Sequence, residues 1–225
     1  MDVERAEKKK TPALDSVLLD MRERIFLNHF DTSRPITEAE ISDMYETSRN
    51  NIRTALQTLE SEGLIIITET GRKYVRNVDK KFVDDLYLTR IMLEKQAVEI
   101  CIHQEIDYSI LATAFSAFYS LYSYSGNALF EMRSKINTDF HRAILLATAN
   151  IPLIRAWTTI EPLFRCVAKF NYVQLKEAQT NDYLIETHQV LMDLIFRRDP
   201  AATECIIKHI GIATDETIAS LKKET

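Results

Sequence analysis

Three histidines and one asparagine have spacings that suit a metal centre. Asn137 and His141 stand four residues apart in the run NTDFH, so on a helix they share one face. His188 and His209, separated by 21 residues, fall on two later helical segments. Imidazoles from three helices together with one oxygen donor can enclose a divalent ion such as Zn, Ni or Mn. Taken singly, each histidine has a plainer reading as a satisfied core or surface residue. Asp139 is an alternative oxygen donor, but it lies two residues from His141 and so on a different face. His29 and His103 sit near helix ends without such company. Arg90 precedes Glu94 by one helical turn. A buried guanidinium beside a metal would grip both oxygens of a carboxylate ligand; the plainer reading is an i, i+4 surface pair. Arg165, in an apolar stretch, is a second candidate for that role. Phe115, Phe118, Tyr119 and Tyr122 read as core first and pocket lining second.

A second group of residues has the chemistry to read DNA. Arg49 and Arg53 are one helical turn apart and project from one face. The arginine fork matches O6 and N7 of guanine, and Asn50 or Asn51 can pair with adenine in the same manner. Thr47 and Ser48, at the start of that helix, are placed to donate to phosphate beside free backbone N–H groups. Arg72 and Lys73 follow Gly71 and are expected at the tip of a β-turn, within reach of the minor groove or backbone. Solvated charges on an amphipathic helix are the plainer reading of the arginines alone; the order of elements around them argues otherwise.

Those elements follow from apolar periodicity and capping signals. Leu14, Val17, Leu18, Met21 and Ile25 mark a helix over about residues 13–28. Thr37 with Glu40 forms a capping-box pattern that opens a short helix to Tyr45, with Ile41 and Met44 facing inward. A helix from about Ser48 has an apolar stripe of Ile52, Ala55, Leu56 and Leu59 and stops at Gly63. The β-branched run Ile65–Thr68, a turn at Gly71 and the return Arg72–Arg76 read as two strands. Helix, turn, helix and two-stranded wing is the layout of a winged helix-turn-helix. Residues 77–80 read as a linker. Beyond it, six helices are predicted: about 81–103, 108–124, 128–149, 151–175, 181–197 and 200–222. The chain is therefore expected to be mainly α: a disordered segment over 1–11, a DNA-binding unit over 12–76 and an all-α bundle over 81–222 for ligand binding and dimerisation.

Composition agrees with this division. The 225 residues suffice for two modest domains, and four Gly and five Pro are few for a loop-rich or all-β fold. No apolar run approaches the roughly 18 residues of a membrane span, and the charged N-terminus has no apolar core of a secretory signal. Three widely spaced cysteines, Cys101, Cys166 and Cys205, read as buried free thiols in a reducing cytoplasm. The net charge of −5 disfavours indiscriminate coating of nucleic acid. Yet Thr47–Gln57 holds two arginines and no acid, and Gly71–Arg76 holds three cations and no anion, so basic surface is local.

With these residues in place, the chain resembles the GntR family of bacterial transcription regulators, in the branch with an all-helical FCD ligand domain. The resemblance covers about residues 13–220. Ser48, Arg49, Ile52, Arg53, Ala55, Leu56, Leu59, Glu62, Gly63 and Leu64 match the recognition-helix signature. Arg90, Leu93 and Glu94 are similar to the opening of the ligand domain, and Asn137, His141, His188 and His209 match its metal signature. The resemblance implies a cytoplasmic homodimer on a palindromic double-stranded operator, usually a repressor of a catabolic operon. It also implies a small organic acid as effector, held by the metal and Arg90. Six helices after the linker suggest the smaller VanR-like architecture. Three positions depart from the pattern: Asn137 stands for the usual Asp, Lys73 for the second wing glycine, and Asn51 for the usual Pro at the start of the recognition helix. Two rival readings remain: a metal-free regulator that binds a longer acyl or apolar ligand, and a metal-dependent hydrolase. The DNA-reading head argues against the enzyme, and retention of three histidines argues against the metal-free pocket.

Overall fold

The computed structural model describes residues 13–175 and 180–221. The chain divides between Asn77 and Val78 into two compact units. Val78 is buried and the Asp79 carboxylate accepts from the Phe82 N–H at 2.8 Å, so the helical unit starts within the segment expected as linker.

The first unit contains α1 (Leu14–Phe26), α2 (Glu38–Met44), α3 (Arg49–Ser61), β1 (Ile65–Ile67) and β2 (Lys73–Val75). Side-chain oxygens cap two of the helices: Thr37 accepts from the Glu40 N–H at 3.1 Å and Ser48 from the Asn51 N–H at 3.2 Å. Gly63, at φ +77°, ends α3. The Leu64 N–H returns to the Leu59 carbonyl and the Gly63 N–H to that of Glu60, the paired bonds of a Schellman motif. Val17, Met21 and Ile25 of α1 are buried, as are Ile41 of α2 and Ile52, Leu56 and Leu59 of α3. A bidentate pair, Arg22 with Glu62, ties α1 to the end of α3 at 2.6 and 2.8 Å. Met44 is not part of this core and is 47% exposed. α2 is only about two turns long and ends at that residue, so Ile41 alone reaches the packed surface.

The strands pair antiparallel, Ile65 with Val75 and Ile67 with Lys73, and Ile36 adds a bridge to Lys73 on the other edge. Gly71, at φ +76°, makes the tight connection.

The second unit holds α4 (Lys80–His103), α5 (Tyr108–Ser116), a 3₁₀ helix (Ala117–Ser123), α6 (Gly126–Ala147), α7 (Ile151–Leu175), α8 (Asn181–Phe196) and α9 (Ala201–Leu221). α6 is central: it packs on α4, α5, α7 and the 3₁₀ helix, while α9 packs on α4, α7 and α8. Asp107 and Thr180 cap α5 and α8. The segment expected as one helix over 108–124 changes pitch at Ala117. The tighter coil buries Phe118 and Leu121 next to Phe115 of α5, while Tyr119 and Tyr122 are 54% and 58% exposed, so those tyrosines are not core. Among the described residues no helix is long and apolar enough to cross a membrane.

Candidate metal centre and nucleic-acid interface

Three helices bring the histidines together. α6 carries Asn137 and His141, α8 carries His188, and α9 carries His209. One ligand nitrogen from each histidine can be chosen so that all lie within 4.8 Å of one another. The ring centroids are 5.4 Å apart for His141–His188, 5.1 Å for His141–His209 and 4.6 Å for His188–His209. Phe118 and Phe140 stand against His188 at 4.6 and 5.1 Å and form an apolar wall.

Hydrogen bonds assign the ring nitrogens. His141 Nδ1 lies 2.5 Å from a Glu94 oxygen, which accepts its proton and leaves the lone pair on Nε2. That Nε2 is buried and has no hydrogen-bond partner. His188 Nδ1 donates to the Leu184 carbonyl at 2.6 Å, so its lone pair is also on Nε2, 2.8 Å from Asn137 Oδ1. In this orientation of the amide two acceptors face each other, a contact that a shared cation relieves. With the amide turned end for end, Asn137 would instead donate to His188. An orphaned nitrogen, two facing acceptors and a third imidazole fit a divalent ion, and the carboxylate behind His141 is the usual orienting partner of a metal-bound histidine.

Burial keeps these imidazoles neutral. It holds His188 at about 4 and His141 and His209 well below the ordinary histidine value; the Arg90 charge adds to the effect at each. Burial also pushes the Glu94 carboxyl up, against the pull of Arg90. Arg90 and Glu94 are 5% and 0% exposed, so theirs is an interior pair and not the surface pair of the plainer reading. Arg90 Nε donates to Glu94 at 2.5 Å, and its guanidinium carbon lies 5.2 Å from the Phe164 ring centre.

A cavity of about 70 Å³ opens beside the cluster, lined by Arg90, Asn137, His188 and His209 with Tyr87, Asn171, Tyr172 and Thr187. Asn171 Oδ1 is buried without a hydrogen-bond partner and offers an acceptor to a ligand hydroxyl. Arg165 does not line this cavity. One residue is about 100° of helix rotation, and on α7 it is Phe164 that turns toward Arg90. Asp139 points elsewhere, into an exposed pair with Lys135 at 2.5 Å. The orienting role of Glu94 escapes sequence reading because its partner lies 47 residues away; the cavity residues Tyr87, Asn171, Tyr172 and Thr187 carry no sequence signal of their own.

In the first unit, Ser48, Arg49, Asn50 and Arg53 are exposed on α3. Arg53 pairs with Glu38 at 3.1 Å, and Lys73 Nζ reaches the same carboxylate at 3.1 Å. Glu38, unremarked in the sequence, thus joins α2, α3 and β2, and the two cations hold its carboxyl below the usual range. Lys73 is in the strand, not at the wing tip, because its backbone pairs on both sides. Arg72 is exposed beside Gly71 in the turn. Thr47 is 8% exposed, and its hydroxyl accepts from Asn51 Nδ2 at 3.1 Å, so it serves the inter-helix turn and leaves little surface for a phosphate.

A winged helix-turn-helix followed by a helical bundle is the architecture of a DNA-binding transcription regulator. The chain belongs to the gntR family of bacterial regulatory proteins, whose model matches residues 15–75, and residues 85–211 match the FCD domain. It is 24% identical over 205 residues to the uncharacterized HTH-type transcriptional regulator YdhC of Bacillus subtilis, covering 90% of both chains. It is 26% identical over 195 residues to the Nta operon transcriptional regulator of Aminobacter aminovorans, covering 86% of this chain and 89% of that one. In fold it resembles Lar of Listeria monocytogenes, with a TM-score of 0.70 at 16% identity over 94% of this chain and 99% of that one.

Proposed function

We propose that this regulator senses a small organic acid through a divalent metal held by Asn137, His141, His188 and His209. The observation that carries this reading is the buried His141 Nε2, unpartnered and facing two further imidazoles beside a polar cavity with Arg90. When bound, the metal supplies a Lewis-acid position for one carboxylate oxygen. Arg90, with Nε engaged by Glu94, keeps its remaining guanidinium N–H groups for the same carboxylate. Glu94 fixes the His141 tautomer, and Phe118 and Phe140 exclude water from the far side. The cavity holds only a few waters' volume, which favours a small acid over a long acyl chain. Glu94, the buried acid nearest the cluster, is engaged by both Arg90 and His141, which suits an orienting group better than a hydrolytic base.

Ser48, Arg49, Asn50 and Arg53 of α3 enter the major groove in this account, with Arg72 at the wing and Lys73 supporting it through Glu38. The protein acts in the cytoplasm as a homodimer on a palindromic operator and represses until the acid shifts the helical unit to a state of lower operator affinity. The test is operator binding by the metal-loaded protein, read by fluorescence anisotropy across a panel of small mono-, di- and hydroxycarboxylates. A several-fold change with one class, lost in Arg90→Ala, is expected; unchanged affinity across the saturating panel overturns the reading.

A larger, more open groove of about 420 Å³ between α8 and α9, lined by Val190, Leu194, Cys205 and Ile212, favours the longer-ligand alternative. That reading predicts acyl-chain binding by the metal-free protein.

A further inference from the structure

The donor set around the histidine cluster contains no charge. Imidazoles ligate through neutral nitrogen lone pairs, and Asn137 adds an amide oxygen. The nearest acid, Glu94, is turned away from the centre: its two oxygens contact Arg90 Nε and His141 Nδ1, each at 2.5 Å, so its charge is matched by the guanidinium. Among the described residues no acid lines the adjoining cavity, whereas Arg90 does. A divalent ion would therefore keep its double charge beside two imidazoles at 0% exposure, His141 and His188, with His209 only half-buried. An uncompensated buried charge is costly, and an anionic ligand is the compensation that a neutral donor set calls for. Without a metal, the Asn137 amide turned end for end can donate to His188 across their 2.8 Å contact, which would stabilise the metal-free site.

We propose that Asn137 makes metal and anion binding interdependent in this chain. Granted the metal reading above, the divalent ion is held tightly only together with a carboxylate ligand, and a dianionic acid is the closest charge match. The acid then acts as part of the metal site, and metal occupancy becomes a readout of acid concentration. By linkage, the metal raises affinity for the acid by the same factor as the acid raises affinity for the metal.

The test is calorimetric titration of Ni²⁺ into the metal-stripped full-length protein at neutral pH, with and without saturating malonate, for wild type and Asn137→Asp. Free malonate chelates Ni²⁺ and lowers its apparent affinity, so any tightening comes from the protein. For wild type, malonate is expected to tighten Ni²⁺ binding by about tenfold or more. Asn137→Asp is expected to bind Ni²⁺ tightly without malonate and to gain less from it. Tight wild-type binding without malonate, with no gain on adding it, overturns the interdependence and leaves the metal centre standing. No Ni²⁺ binding by wild type in either condition overturns the metal centre itself. If Asn137→Asp fails to fold, the wild-type pair of titrations decides alone.

Discussion

Glu94 does more for the candidate site than any residue that would touch the metal. It is fully buried, receives Arg90 on one oxygen and His141 on the other, and so links the acid-gripping cation to the ligand imidazole. In Glu94→Gln the amide cannot accept from both: turned one way it opposes Arg90, turned the other it donates to His141 Nδ1 and moves the imidazole proton onto Nε2. Metal affinity is expected to fall about 10–100-fold, read by competition with a chromogenic chelator, with the fold retained by circular dichroism. Unchanged affinity would remove Glu94 from the site. A second prediction concerns pH. Burial holds His188 at about 4, whereas the unfolded chain titrates near 6.5. Between these values the unfolded state binds the additional proton, so stability rises with pH through the window and is lost on acidification. The urea midpoint of metal-free protein is expected to be highest above about pH 6.5 and to fall toward pH 4, less steeply in His188→Ala. A midpoint equally flat in both proteins would contradict the burial argument. At this scale the shared face of Asn137 and His141 was legible from spacing, because a residue four places on returns to the same helix face, whereas the meeting of His188 and His209 with them was implied by the family resemblance. Arg165 was misplaced because apolar neighbours reveal burial but not the direction of a side chain around its helix. Thr47 was misplaced because a turn hydroxyl can serve the protein's own amide as readily as a phosphate.

The elements were the most legible part of the chain. Capping residues are local chemistry: Thr37, Ser48, Asp107 and Thr180 each accept from a backbone N–H within three residues, so their sequence positions mark helix starts directly. Gly63 marks the end of α3 for an equally local reason, since its φ of +77° strains any residue with a Cβ. Ser48→Ala should destabilise the first unit by about 1 kcal/mol through loss of the α3 cap, measured by urea unfolding of the full chain; an unchanged midpoint would show that the Asn51 N–H finds another partner. The 3₁₀ helix Ala117–Ser123 was not legible. YSILATAFSAFYSLYS contains no Gly or Pro to announce a change of pitch, and the change is set by how Phe118 and Leu121 are drawn into the core. The position of Lys73 was lost for a related reason: a bridge to Ile36 on the far edge of β2 depends on tertiary folding.

For the whole molecule, the two units divide the work of a regulator. The first presents α3 arginines and a wing, locally basic on a chain of net charge −5, which favours a specific operator over nucleic acid in general. The second is an α-helical bundle whose interior contains polar groups that a purely structural core has no reason to keep: Arg90, Glu94, Asn137, His141 and His188 are all buried. Buried polar groups left partly unsatisfied are costly, and a bound metal and acid would satisfy them together. That dependence is what would let a ligand bias the bundle between states. The most direct measurement is elemental analysis by plasma mass spectrometry of untagged protein, wild type and His188→Ala, after equilibration with Zn, Ni and Mn in the presence of a dicarboxylate. About one equivalent of one of these ions per wild-type chain is expected, with a clear loss in folded His188→Ala. An empty wild-type protein, or full metal retention in the variant, would contradict the metal reading.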